Sequence, residues 1–343
     1  MAARWGRRLR WIFLIAVLAA VGFVAFSNRK ELIDAFHLIG RGSPALLLAA
    51  VGSIACVYVS RGSAYKVAVH VMGYDLSRSF LARTALVATS VHQLIPTGGA
   101  SGYAFLAYAF HQRGISTGRA SIVALLDTLS YALSLASLAI VVFVHLIGGG
   151  TFSGASLGLG VVPAVALLGI ALGLYYLQRE RERMLRFSLR AKERLGALLG
   201  RHWADDPVRH FVYEYYEGKR VILENRHCFV RMMVFQYAAI AFDSAALYLA
   251  FVALGLAPNP WTVFVGFVVA MAGVSVIVVP GGGGSFEVVM SSFFATHGIG
   301  AANGIAAALL YRLAAFWIPV LTSLVVLWRL RRRRNIAKRI EQE

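Results

Sequence analysis

Six ionisable residues stand inside or at the edge of long apolar runs: Arg83, His92, Asp127, Asp243, Glu287 and Arg312. Charge at such positions is costly, so these residues mark binding paths, proton relays or structural ion pairs. Glu287 directly follows a glycine-rich break, and Arg312 lies at a similar depth in the next run. Asp127 and Arg83 match in depth from the opposite side. Two chemistries are open to these pairs. As a path, the arginines would hold a phosphate headgroup with a planar fork that donates two bonds, and the carboxylates would bind or exchange protons. As structure, Glu287–Arg312 and Asp127–Arg83 would be ion pairs that hold neighbouring segments. Asp243 sits near the centre of its run without an obvious partner and would be free to take up a proton. His92 either lines the path or is a satisfied buried histidine.

The runs that must position these residues are helices in a membrane. Apolar residues make up 59% of the 343 and charged residues only 15%; the mean hydropathy is +0.68. A soluble domain has too little interior for that much apolar surface. Runs long enough to cross about 30 Å of hydrocarbon recur near 11–26, 44–60, 120–146, 157–177, 229–254 and 303–328. Backbone in such a run satisfies its own hydrogen bonds by forming a helix. The period-two alternation of an outer-membrane barrel is absent from the sequence. Cys56 and Cys228 stand singly in or beside apolar runs, without metal or disulfide spacing, and read as buried apolar residues. No metal set and no cofactor is expected.

The net charge of +18 does not point to nucleic acid, because of where it lies. Arg4, Arg7, Arg8 and Arg10 precede the first run. A second cluster fills 179–226. A third occupies the tail at 329–343, with Arg329, Arg331, Arg332, Arg333, Arg334, Lys338 and Arg339. The loops at 147–156, 255–260 and 298–302 carry no lysine or arginine. This is the positive-inside pattern of an inner (plasma) membrane protein with both termini cytoplasmic. The first run is read as an uncleaved span, because no small-residue cleavage site follows Phe26. The stretch 178–227 mixes both charge signs with aromatic residues and reads as one or two amphipathic helices on the cytoplasmic surface.

Two stretches are broken by proline and glycine. The first, from Phe80 to Phe110, is interrupted by Pro96, Gly98, Gly99 and Gly102. The second, from Trp261 to about His297, is interrupted by Pro280, Gly281, Gly282, Gly283 and Gly284. Proline removes a donor and glycine frees the backbone, so a helix stops at each break. If each stretch crossed the membrane once, the basic segment at 179–226 would lie outside while the tail lay inside. If each returns as a hairpin, every strongly basic segment is cytoplasmic. The second arms, Tyr103–Phe110 and Phe286–His297, are also too short to cross, at about 12 and 18 Å. The expected architecture is therefore an all-α polytopic membrane protein read as one domain, 1–343. It has about six full spans and two opposed re-entrant broken-helix hairpins, about eight membrane segments in all. Broken backbone at membrane depth is tolerated beside protein or a water-filled cavity, as at the substrate sites of secondary transporters.

The motifs resemble those of the flippase-like family built on the transmembrane region of lysylphosphatidylglycerol synthases. The matching pieces are HQLIPTGG at 92–99 with Gly114 and Ile115 after it, VPGGGGSFE at 279–287, LYR at 310–312 and FWIP at 316–319. The resemblance covers most of the chain. It implies a multi-span domain with re-entrant elements that moves lipids between leaflets. Many members carry Gly-Glu and a basic residue after the first break, where this chain reads GGASGYAF at 98–105. The aminoacyl-transfer domain of the synthases is not expected here, so the chain is not read as an enzyme. The expected partner is a membrane lipid, anionic or phosphate-bearing, with a polyisoprenoid-type lipid as a further class. Lipid-biosynthesis enzymes are candidate protein partners. An integral-membrane lipid-modifying enzyme and a non-transporting partner of a lipid-synthesis complex are the alternatives.

Overall fold

The computed structural model describes residues 42–95, 100–148, 169, 181–199, 205–274 and 285–340. Pro96, Gly98, Gly99, Pro280 and Gly281 to Gly284 lie outside the described residues. So do the run at 11–26 and, apart from residue 169, the run at 157–177. The described residues form helices and no strands. In chain order these are α1 (Pro44–Val71), α2 (Arg78–Leu94), α3 (Ala100–His111), α4 (Thr117–Gly148), α5 (Arg181–Leu199) and α6 (Asp206–Glu224). Then come α7 (Arg226–Ala253), α8 (Pro260–Val274), α9 (Ser285–Thr296), α10 (Ala301–Arg312) and α11 (Ile318–Ile340). A single π-helical turn, Leu313–Trp317, joins α10 to α11 without a break.

Four of these helices are long and apolar enough to cross a membrane: 44–71, 117–146, 227–253 and 301–329. They coincide with four of the six expected runs. The protein is therefore an all-helical, polytopic membrane protein.

The described parts of each broken stretch form two helices, α2 and α3 in the first and α8 and α9 in the second. Their second arms, α3 and α9, have 12 residues each, or about 18 Å. On the first stretch, a Cβ at Gly102 would stand 3.0 Å from both the Ala88 carbonyl oxygen and the His92 Cβ. The Ser101 hydroxyl donates to the Ile95 carbonyl at 3.2 Å. Near the other ends of these helices, the Arg113 guanidinium covers the Phe80 ring at 4.4 Å. The chain therefore doubles back. Gly114, with φ +81°, ends α3: the Ile115 N–H reaches back to the Phe110 carbonyl and the Gly114 N–H to that of His111. A left-handed residue is needed there, which explains that glycine as a helix stop.

The chain gathers into two compact units. One takes the described residues within 42–60, 82–102 and 238–340, the other those within 61–81 and 103–237. In the second unit the stretch 178–227 supplies two amphipathic helices, α5 and α6. Lys192 pairs with Asp205 at the start of α6, and this hydrogen bond holds the exposed Asp205 carboxyl below its usual range. Burial, then the neighbouring Tyr103 and Tyr216, pushes the Tyr215 phenol well above its ordinary range, so it stays neutral.

Helix α6 crosses α4 at two glycines. A Cβ at Gly118 would fall 2.6 Å from Glu214 Cβ and 2.8 Å from the Phe211 carbonyl oxygen, and one at Gly218 2.8 Å from Ile122 Cδ1. Small residues permit that approach. Gly118→Val is expected to push α6 off α4 and to destabilise the protein by about 1–3 kcal/mol. Faster amide exchange confined to α6 and the start of α4 is the readout; unchanged exchange there would refute the crossing.

In the first unit, α8, α9 and α10 pack through Gly266 on Phe293 and Gly304 on the Met290 backbone. Phe251 lies edge-on to Phe294 at 4.7 Å. Cys228 is buried as expected, but Cys56 is exposed. An apolar residue in a span has two apolar surroundings available, protein and lipid, and composition does not choose between them.

Candidate functional site

The strongest polar site of the first unit lies where α9 meets α10. Ser285 begins α9, so Glu287 falls in its first turn, where the helix dipole favours a negative charge. Arg312 ends α10, and its Nη1 donates to Glu287 Oε1 at 2.7 Å. Both residues are buried, with 6% and 7% of their surface exposed. The expected pair is thus present. Glu287 Oε2 is also buried and accepts no hydrogen bond among the described residues, so the carboxylate keeps spare acceptor capacity for a hydrogen-bond donor.

The preceding residue extends the site. The Tyr311 hydroxyl donates to Asp243 Oδ1 at 2.7 Å, which corrects the reading of Asp243 as partnerless. Tyr311 is stacked on Phe286 at 5.3 Å and meets Phe267 edge-on at 5.9 Å. Adjacent residues of α10 therefore engage one carboxylate each, on α7 and α9. The Arg312 guanidinium also stands 5.6 Å from the Phe316 ring.

Phe316 lies in the π-helical turn. Pro319 explains why the helix widens there. It has no N–H, and its ring crowds the carbonyl four residues back. The Ile318 N–H instead bonds the Leu313 carbonyl, five residues back. Turns of this kind often lie at functional positions. Phe316 and Val320 pack on Leu94, with Trp317, Leu324 and Ile95 around them. The Ser323 hydroxyl contacts that of Ser90 at 2.8 Å. One segment, Tyr311 to Ser323, thus touches the second arm of one hairpin and the first arm of the other.

The second unit holds a separate buried cluster around Asp127, which is 5% exposed. Asp127 Oδ2 accepts from Arg61 Nη2 at 2.9 Å and the Tyr65 hydroxyl at 3.1 Å. Asp127 Oδ1 accepts from Gln236 Nε2 at 2.7 Å. Arg61 is thus the arginine that holds Asp127, a residue depth matching did not find; Arg83 is exposed. The apolar run at 44–60 stops short of Arg61, but the helix α1 continues to Val71. Arg61 and Tyr65, four residues apart, share one helix face there. That spacing was the available signal; Gln236 and Tyr311 left none. His92 is exposed rather than buried. Among the described residues no three of His, Cys, Asp and Glu gather as a metal site would require.

A helical membrane fold carrying one buried and one partly buried carboxylate–arginine pair defines a polytopic membrane protein with polar interior sites. The model of the family described as the lysylphosphatidylglycerol synthase transmembrane region matches residues 11–323. The chain belongs to that family. A comparison with curated proteins returns no match. The family places the protein in membrane lipid biology.

Proposed function

We propose that the protein is a flippase-like lipid translocase of the inner (plasma) membrane. In this reading the helices make about six full spans, the two hairpins enter from opposite sides as re-entrant elements, and both termini are cytoplasmic. The cargo is an anionic or phosphate-bearing lipid, or a polyisoprenoid-type lipid, and it is moved without being chemically changed. Lipid-biosynthesis enzymes supply or consume it.

The observation that carries the reading is the buried Glu287–Arg312 pair with its spare carboxylate oxygen. A purely structural pair is expected to have its lone pairs satisfied, because a buried polar atom without a partner costs about 1–3 kcal/mol. A site that takes a headgroup in turn leaves an acceptor open. Arg312 offers charge for a phosphate once Glu287 yields it.

The test is leaflet exchange in vesicles that contain the purified protein and a short-chain fluorescent phosphatidylglycerol. Glu287→Gln and Arg312→Ala should each slow exchange by about tenfold or more, corresponding to about 1.4 kcal/mol or more in the barrier. Exchange at the wild-type rate in both variants would refute the site.

A further inference from the structure

The two hairpins are packed against one helix, and that helix is irregular between them. Arg312, the last residue of α10, holds Glu287 at the start of α9. Four and eight residues further on, Phe316 and Val320 hold Leu94 at the end of α2. Between the two contacts lies the π-helical turn Leu313–Trp317. All of these residues belong to the same unit.

The wide turn fixes the angle between the two contacts. Each residue of an α-helix advances about 100° and 1.5 Å. Shifting the hydrogen bonds of this turn from five residues back to four would move everything after it by one residue in register. Phe316, Val320 and Ser323 would then turn by about 100° relative to Arg312, so that Arg312 could not hold Glu287 while they held Leu94 and Ser90. The reverse also holds: as long as the first hairpin is packed, the turn stays wide and the Arg312 guanidinium stays near the Phe316 ring, at 5.6 Å.

We propose that this turn is a register switch, through which the Glu287–Arg312 pair and the packing of the first hairpin's end on α11 form and release together. A packed helix has discrete arrangements rather than continuous ones, so a small change at Arg312 becomes a change of register further along. The proposal goes beyond the lipid reading and does not depend on it, because the same coupling would serve any cargo.

Cysteine accessibility tests it without transport. Ile95, which packs on the Phe316–Val320 cluster, is replaced by cysteine in a Cys56→Ser background. The native Cys228, buried in the other unit, serves as the internal control. Alkylation by a maleimide is followed at both thiols in the purified full-length protein. Adding Glu287→Gln should speed modification at position 95 by about fivefold or more, the lower end of site-to-site coupling, and leave Cys228 unchanged. Pro319→Ala, which restores the missing N–H, should speed it likewise, and the two changes together should add little to either alone.

An unchanged rate at position 95 with Glu287→Gln would overturn the coupling. Acceleration at both thiols would overturn it too, since that is general loosening. A full effect of Glu287→Gln with none from Pro319→Ala would remove the turn as the route. If Glu287→Gln does not fold, Arg312→Lys replaces it; this variant keeps the charge, loses the fork, and is read by the same outcomes.

Discussion

Arg312→Ala is expected to destabilise the protein by about 3–5 kcal/mol, since removing one partner of a buried ion pair strands the other charge. The stranded group is Glu287, whose Oε1 accepts from Arg312 and whose Oε2 has no hydrogen-bond partner among the described residues. Glu287→Gln should cost less, because the amide is neutral and its oxygen still accepts from the guanidinium. The double variant Glu287→Ala/Arg312→Ala should be more stable than Arg312→Ala alone, because it removes the uncompensated charge. A double-mutant cycle by thermal or detergent unfolding measures that recovery. Additive losses would show that the two side chains do not interact. This cycle also separates folding from exchange. If Glu287→Gln slows lipid exchange while keeping most of the stability, the carboxylate acts in the path and not only as a brace.

Asp127→Ala should have an effect of similar size in the other unit. One carboxylate there accepts from Arg61, Tyr65 and Gln236. Truncation leaves a guanidinium, a phenol and an amide without their common acceptor, at a cost of about 3–5 kcal/mol. Asp127→Asn keeps one carbonyl oxygen and should cost less. Pairing with Arg61→Ala closes a cycle whose coupling should exceed about 1 kcal/mol, as residues in one hydrogen-bond network do not add. A loss under about 1 kcal/mol for Asp127→Ala would show that water replaces the carboxylate, and the cluster would then be an aqueous pocket and not a dry brace.

Most of the fold was legible because the membrane imposes a coarse code. Length and hydropathy alone located the four described spans, and the first proline–glycine break located the end of α2 at Leu94. Charge pairing was less legible. Depth matched Glu287 to Arg312 correctly because the two lie on segments adjacent in sequence, with a short loop from His297 to Gly300 between them. The same argument matched Asp127 to Arg83 and did not find Arg61, which holds Asp127 at 2.9 Å. Matching depth is a one-dimensional criterion, and many residues share a depth. Which of them meet depends on the rotation of each helix about its axis and on which helices are neighbours.

The amino-acid sequence by itself determined that this chain is a helical membrane protein, that a helix stops before the first proline–glycine break, and that Glu287 and Arg312 are candidates to pair. These follow from local chemistry: apolar length, missing donors and permissive backbone. Only the tertiary structure decided that Tyr311 holds Asp243, that Asp127 gathers Arg61, Tyr65 and Gln236, and that a π-helical turn links one hairpin's ion pair to the other hairpin's end. Those arrangements depend on packing between segments far apart in the chain. One residue of register turns a side chain by about 100°, and the apolar pattern of a span, buried in lipid on one side and protein on the other, does not record that angle.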